Sequence, residues 1–205
     1  DAGEWAISKS LIDAYVTRQL DVDTSEQERI QSMPLSLHAA YVPSALQMLG
    51  TAKHLVDTAE KWCDDHGHDH ADIVGARIVD DMLPFSYQIK SVAEHTKGSI
   101  EGLRAGVYSP DLSPPPASLG DLRTKLAQAT EFMNGLTEED MEGFIGQPMR
   151  FEFKSNRMDF TAEDFLLSFS QPNFYFHCAT AYDILRMKGV PVGKRDFLGR
   201  VRIKP

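Results

Sequence analysis

The chain has 205 residues, of which 42% are hydrophobic, a length and composition typical of one globular domain with a substantial core. Its formal net charge of −9 disfavours a nucleic-acid partner, because DNA- and RNA-binding proteins present a basic face. No apolar run reaches the ~20 residues of a membrane span, and no signal-peptide pattern opens the sequence. The composition therefore predicts a cytoplasmic protein that binds neither nucleic acid nor a membrane.

The amino-terminal segment differs from the remainder of the chain. Residues 1–32 are polar, with one short amphipathic stretch, and Met33-Pro34 after them resembles a natural start. We interpret residues 1–32 as a leader, either a remnant of the expression vector or a native extension. The folded domain is then predicted to span 33–205.

Two helices are predicted in the first half of this domain. The first has Ser36 as its N-cap, contains Pro43 near its start, and ends in the histidine-rich acidic segment 64–72. Its apolar residues recur every three or four positions, as on one face of a helix. A second helix is predicted to begin near Ala71 and to bend at Pro84.

The second half continues this pattern with a long connection and a hairpin. Residues 105–118 contain four prolines and are predicted to be an extended crossover. A third helix starts at Ser118, residues 149–160 alternate as in a β-hairpin, and a fourth helix starts at Thr161 and bends at Pro172. The predicted fold class is all-α: a four-helix bundle with a long second-to-third helix connection and a small hairpin before the last helix.

Three histidines are candidates for a common site. His38, His95 and His177 each fall on or beside the apolar stripe of a different helix. If the first two helices are antiparallel about a turn near residue 68, His95 lies within one turn, ~5.4 Å, of the level of His38. Three imidazoles could bind a divalent metal (zinc, nickel or iron) with a position open for water or substrate. The alternative is three separate structural histidines.

Other polar residues are predicted to point into the bundle. Tyr41, Glu94 and Tyr182 are candidate catalytic acids or bases beside such a metal. Cys63 and Cys178 lack metal-ligand spacing and are predicted to be reduced, buried thiols. The carboxyl-terminal tail is predicted to pack over the helices through Phe197 and Leu198, with an ion-paired edge formed by Arg195 and Asp196.

Four segments together resemble a known superfamily. SLHAAYVPSALQML, DDMLPFSYQIKSVAEHTKG, QPNFYFHCATAYDILR and GVPVGKRDFLG are similar to the blocks of an uncharacterised family within the DinB-like (YfiT-like) four-helix-bundle superfamily, from Met33 to about Gly199. The resemblance implies a bundle with a long connection, frequent dimers, and often a divalent metal. That metal is held by one histidine of the second helix and two, four residues apart, of the last.

The resemblance transfers to this chain only in part. His95 and His177 match two of the ligand positions, whereas Ala181 occupies the third, so that only a residue such as His38 could complete the set. Relatives with known activities include thiol-dependent isomerases and transferases. The leading hypothesis is a homodimeric small-molecule enzyme of isomerase, lyase or transferase type, with a His-ligated metal in a bundle pocket. The alternative is a non-catalytic ligand-binding or dimeric scaffold protein whose histidines are structural.

Overall fold

The computed structural model describes residues 35–204, and the predicted leader, 1–32, lies outside the described residues. The first bundle helix, α1, spans Leu37–His66. It begins where predicted, because the Ser36 side chain accepts a hydrogen bond from the backbone N–H of Ala39 (3.1 Å). The helix continues through Pro43 and ends at Gly67, whose positive φ of 68° closes the last turn.

The second bundle helix differs from the prediction. A short helix, α2, covers Ala71–Val74, and regular helix resumes only at Phe85. Pro84 is therefore the N-cap of the long helix and does not bend its middle, as suits a residue without a backbone N–H. From there α3 spans Phe85–Ala93, a π-helical turn covers Glu94–Gly98, and α4 spans Ser99–Ala105.

The third helix and the hairpin confirm the sequence prediction. Helix α5, Leu119–Asn134, starts at Ser118, whose hydroxyl accepts from the N–H of Asp121 (3.0 Å). A short helix, α6, Glu138–Glu142, follows. Strands β2, Pro148–Phe153, and β3, Asn156–Thr161, form the antiparallel hairpin. A strand that was not predicted, β1, Val107–Tyr108, adds in parallel to β2 and completes a three-stranded sheet of order β1-β2-β3.

The last bundle helix also contains a π-helical segment. A first turn, α7, Ala162–Asp164, is capped by Thr161, and a π-helix covers Phe165–Ser170. Helix α8, Gln171–Met187, continues directly from the π-helix and has Pro172 in its first turn. The irregularity predicted at Pro172 thus lies just before it, in the π-helix.

These elements pack as the predicted bundle. Helix α8 packs on α1 and α3, and α5 packs on the same two helices from the other side. The core is apolar and includes both cysteines, which are free and buried as predicted. Within residues 35–204, no helix combines the length and apolarity needed to cross a membrane. A last short helix, α9, Lys194–Leu198, lies in the tail and packs on α1.

Candidate functional site

The π-helical turn Glu94–Gly98 places His95 at the centre of the bundle. Its backbone carbonyl accepts hydrogen bonds from the hydroxyls of Tyr41 (2.6 Å) and Ser170 (2.7 Å). The hydroxyl of Ser170 is in turn 2.5 Å from that of Ser99. A π-helical turn breaks the regular i to i−4 ladder, and such turns are frequent at functional sites. Here three buried hydroxyl side chains, one from each of three bundle helices, hold the turn and with it the position of the His95 ring.

The structure brings His95 and His177 together. Their ring centroids are 5.6 Å apart and the ring planes differ by 14°. His95 is 9% exposed, and its Nδ1 has no hydrogen-bond partner within the described part of the chain. Aromatic rings of Tyr108 and Phe169 flank His95, at 5.6 and 6.0 Å. The pair is therefore a polar centre within aromatic surroundings, and the buried Nδ1 of His95 is unpaired among the described residues.

A chain of two hydrogen bonds determines which nitrogen of His177 carries the proton. The side-chain Nε2 of Gln88 donates to the carbonyl of Leu83 (2.8 Å), which orients the amide so that Oε1 faces His177 Nδ1 at 2.7 Å. Because an amide oxygen only accepts, Nδ1 of the neutral ring must carry the hydrogen. The lone pair of His177 is then on Nε2, which is free to act as a base or as a metal ligand.

Burial keeps both imidazoles uncharged. Desolvation, with a smaller contribution from the neighbouring His177, lowers the pKa of His95 to about 3. Desolvation alone lowers the pKa of His177 to about 4. Both rings are neutral at pH 7, the state in which an imidazole accepts a proton or binds a metal.

A small polar cavity adjoins His95. It has a volume of about 20 Å³ and is lined by Lys90, Glu94, His95, Tyr108 and Asp111 among others. That volume holds roughly one water molecule. Burial raises the pKa of the Tyr108 hydroxyl, so this neighbour remains a neutral hydrogen-bond donor. The connection between α4 and α5, residues 106–118, contributes Tyr108, Pro110 and Asp111 to the lining of this cavity.

Lys90 holds that connection in place. Its side chain is 2% exposed, and Nζ donates to the carbonyls of Asp111 (2.9 Å) and Ser113 (2.7 Å) and to the Ser113 hydroxyl (3.0 Å). Nζ is also paired with the Asp111 carboxylate at 2.9 Å. Burial by itself would raise the pKa of Asp111, but hydrogen bonds from Lys90 and Ser113 lower it to about 2. Lys90 therefore ties the crossover to α3 directly over the cavity.

His38 does not join the other two histidines. Its Nε2 lies 3.2 Å from the carbonyl of Leu136, and its backbone N–H donates to Glu142 (3.1 Å). The predicted antiparallel register of the first two long helices, in which residue 38 lies level with residue 98, is the register observed. In that register residue 41 lies level with residue 95, and the Tyr41 hydroxyl does bond to the His95 carbonyl. The predicted direction of the His38 side chain was wrong. This side chain points toward the end of α5, whereas His95 and His177 meet between the second and last bundle helices. In the stretch 35–204, no three His, Cys, Asp or Glu residues are grouped to hold a metal ion.

The three candidate catalytic residues occupy different places. Tyr41 is fully buried, and its hydroxyl donates to the His95 carbonyl, so it positions His95. Glu94 lines the small cavity and pairs with Lys125 at 2.6 Å. Tyr182 packs on Phe197 of the tail, with centroids 6.0 Å apart. It follows His177 by five residues, about 140° around the helix, and lies away from the pair.

The residues present fit the metal centre implied by the resemblance only in part. Two imidazoles bound to one ion at ~2.1 Å have ring centres roughly 5 Å apart, close to the observed 5.6 Å. The third position is Ala181, which is buried and carries no donor. The separation of the two rings thus allows a shared ion, but the set of three ligands is incomplete in the described chain.

Sequence reasoning missed the residues that organise this site. Gln88 was recognisable only as a polar residue on an inward face, and its bond to Leu83 depends on a non-helical segment that was predicted to be helix. Lys90 lies between buried Ile89 and Val92 in sequence, and a lysine among apolar positions was the one available signal. The thiol of Cys178, one residue after His177, is buried, which raises its pKa to about 12 and makes it a poor nucleophile.

Comparison with known proteins supports the fold. A crystal structure of a DinB family member protein from Shewanella denitrificans matches with a TM-score of 0.70 and 24% sequence identity, over 82% of this chain and 95% of that one. At this identity the match shows the shared fold alone. No curated protein matches the sequence. The family model described as "Domain of unknown function (DUF1993)" matches residues 37–198, which contain all the bundle helices and the histidine pair, and the chain belongs to this DUF1993 family.

Proposed function

We propose that the chain binds a small organic molecule beside the His95–His177 pair and transfers a proton to or from it, as in an isomerase, lyase or transferase. The observation that carries this proposal is the pair itself: two neutral imidazoles, one with a buried Nδ1 that has no partner among residues 35–204 and the other with its lone pair fixed on Nε2. A buried polar atom without a partner is costly and uncommon in folded proteins, and a bound ligand would satisfy it here.

The division of roles follows from the hydrogen bonds. His177 Nε2 is the base, because Gln88 holds the proton of that ring on Nδ1. Glu94 and Tyr108 line the small cavity beside His95, and their polar groups can orient a substrate there. Low solvent access strengthens each of these interactions relative to water. The ligand enters when the connection held by Lys90 opens.

Binding of a divalent metal is a second candidate function. The ring separation and the two available nitrogens favour it, and water or a bound ligand would occupy the remaining coordination positions. A two-histidine site is expected to bind zinc more weakly than a three-histidine one. The non-catalytic alternative, a scaffold with structural histidines, differs from both in needing neither nitrogen to be accessible. Homodimer formation stays a prediction.

The test uses ring-labelled histidine and ligand-detected NMR with a library of small carbonyl and carboxylate fragments. We expect fragments that shift the ring signals of His95 and His177 in the wild type and lose at least tenfold in affinity in His177→Ala. His66→Ala, which removes an exposed histidine at the carboxyl end of α1, is the matched control and should leave these affinities unchanged. A parallel titration of chelator-treated protein with zinc sulfate tests the metal candidate on the same signals.

One outcome for His177→Ala would contradict the proposed function. If His177→Ala retains every fragment and the bound zinc but unfolds with a free energy lowered by about 1–3 kcal/mol, the histidine is structural. The scaffold alternative would then replace the proposed function.

A further inference from the structure

A second pocket lies on a different side of the bundle, between α1 and the carboxyl-terminal tail. Its volume is about 470 Å³, in the range of small-molecule sites. Leu46, Gly50 and Thr51 of α1 line one side, and Arg195 and Arg200 of the tail line the other. None of the residues of the His95–His177 site belongs to this pocket.

Three hydrogen bonds hold the tail against α1 and so form the wall of the pocket. Gln47 Nε2 donates to the Leu198 carbonyl (2.7 Å), and the Thr51 hydroxyl donates to the Phe197 carbonyl (3.0 Å). His54 Nε2 lies 2.8 Å from the Asp196 carboxylate. At Gly199, with φ of 59°, a Cβ atom would come within 2.6 Å of the Thr51 hydroxyl, so only glycine permits this close approach.

The charges in the pocket do not cancel. Asp196 is engaged by His54 and by the Gly193 N–H (2.7 Å), and therefore does not form the predicted ion pair with its neighbour Arg195. Neither Arg195 nor Arg200 is ion-paired with any residue between 35 and 204. Guanidinium groups bind carboxylate and phosphate oxygens in pairs.

Gly50 supplies the space on the helical side. Glycine destabilises the interior of a helix relative to alanine, so its presence at position 50 needs an explanation. The backbone does not require it, since its φ is not positive, and a Cβ atom there would contact no atom within 4 Å. What the missing side chain provides is open volume in the pocket between Leu46 and the tail.

We propose that the pocket between α1 and the tail binds a small organic anion, with its carboxylate or phosphate on Arg195 and Arg200 and its apolar body over Gly50 and Leu46. This site is separate from the histidine pair and is independent of the proposed function there.

The experiment titrates wild-type protein with hexanoate, hexyl phosphate and, as the uncharged control, 1-hexanol, by isothermal calorimetry. We expect at least one anion to bind at least tenfold more tightly than hexanol, and the preferred anion distinguishes a carboxylate ligand from a phosphate ligand. Gly50→Phe, which fills the pocket, should weaken that binding at least tenfold. Its matched control, Gly50→Ala, should stay within about twofold of wild type. The double variant Arg195→Gln/Arg200→Gln should also lose at least tenfold.

Three results would overturn the proposal. One is binding of the anions no tighter than hexanol, and another is equal anion binding by the wild type, Gly50→Phe and the arginine double variant. The third is a change of oligomeric state in Gly50→Phe, seen by sedimentation, without loss of anion binding, which would assign the pocket to a second copy of the chain. Circular dichroism confirms folding of each variant.

Discussion

Acidification from pH 7 to pH 4.5 is expected to remove roughly 3 to 5 kcal/mol of folding free energy through His95 and His177 alone. Their pKa values, about 3 and about 4 in the folded state, are below the value near 6.5 of an unfolded chain. Between the folded and unfolded pKa values, these two histidines therefore bind more protons in the unfolded state than in the folded state. The stability contributed by the neutral pair is complete above pH ~6.5 and is lost as the pH falls toward 4 and 3.

Urea unfolding at pH 7, 6, 5 and 4.5 measures this loss. The double variant His95→Gln/His177→Gln cannot take up these protons, so its unfolding free energy should fall by about 3 to 5 kcal/mol less over the same range. Carboxylates such as Asp57 and Asp111, whose pKa values are also lowered, contribute equally to both proteins. His68→Gln, at an exposed position, controls for the loss of a histidine. If the unfolding free energy fell equally with pH in the wild type and the double variant, the two histidines would not be held neutral by the fold.

Replacing Lys90 by methionine is expected to lower the free energy of unfolding by about 1–3 kcal/mol. Methionine fills the buried volume of the lysine stem but leaves the carbonyls of Asp111 and Ser113 without their donor. The remaining Asp111 carboxylate is 37% exposed and can be hydrated, which keeps the cost below that of a fully buried unpaired charge. The larger consequence is local, since the crossover loses its attachment over His95.

Limited proteolysis detects the local effect. Chymotrypsin should cut Lys90→Met at Tyr108, which is only 5% exposed in the wild type, and the rate should rise at least severalfold. Lys61→Met is the control, because Lys61 forms an exposed pair with Asp65 one helical turn away. It should change neither the melting temperature nor the rate of cleavage at Tyr108. A Lys90→Met protein as resistant as the wild type would show that other contacts hold the crossover closed.

The parts of the fold that follow local rules were predictable from the sequence. Ser36, Ser118 and Thr161 each cap a helix as predicted, because a capping side chain bonds to an N–H only three residues away. The predicted axial register between the first two long helices was also correct, since the Tyr41 hydroxyl bonds to the His95 carbonyl. An antiparallel pair around a known turn fixes the axial register with little further information.

The candidate site depended on contacts that the sequence does not encode locally. The π-helical turn at His95 is held by hydroxyls of Tyr41 and Ser170, which come from two other bundle helices. Helical phase places His38 on an inward face but does not decide between two neighbouring helices as its partner. The role of Gln88 could not be predicted, because its amide is oriented by the carbonyl of Leu83, which lies in an irregular segment.

A long-range correlation spectrum of histidine ring protons and nitrogens, recorded on wild-type protein at pH 7, most directly tests the claim that His177 presents a free lone pair beside His95. With Gln88 oriented by Leu83, Nδ1 of His177 should be protonated and Nε2 unprotonated, and the His95 ring should also be neutral. Gln88→Leu removes the acceptor and should disturb this tautomer. A charged ring at pH 7, or a His177 proton on Nε2 in the wild type, would contradict the assignment of His177 as the base.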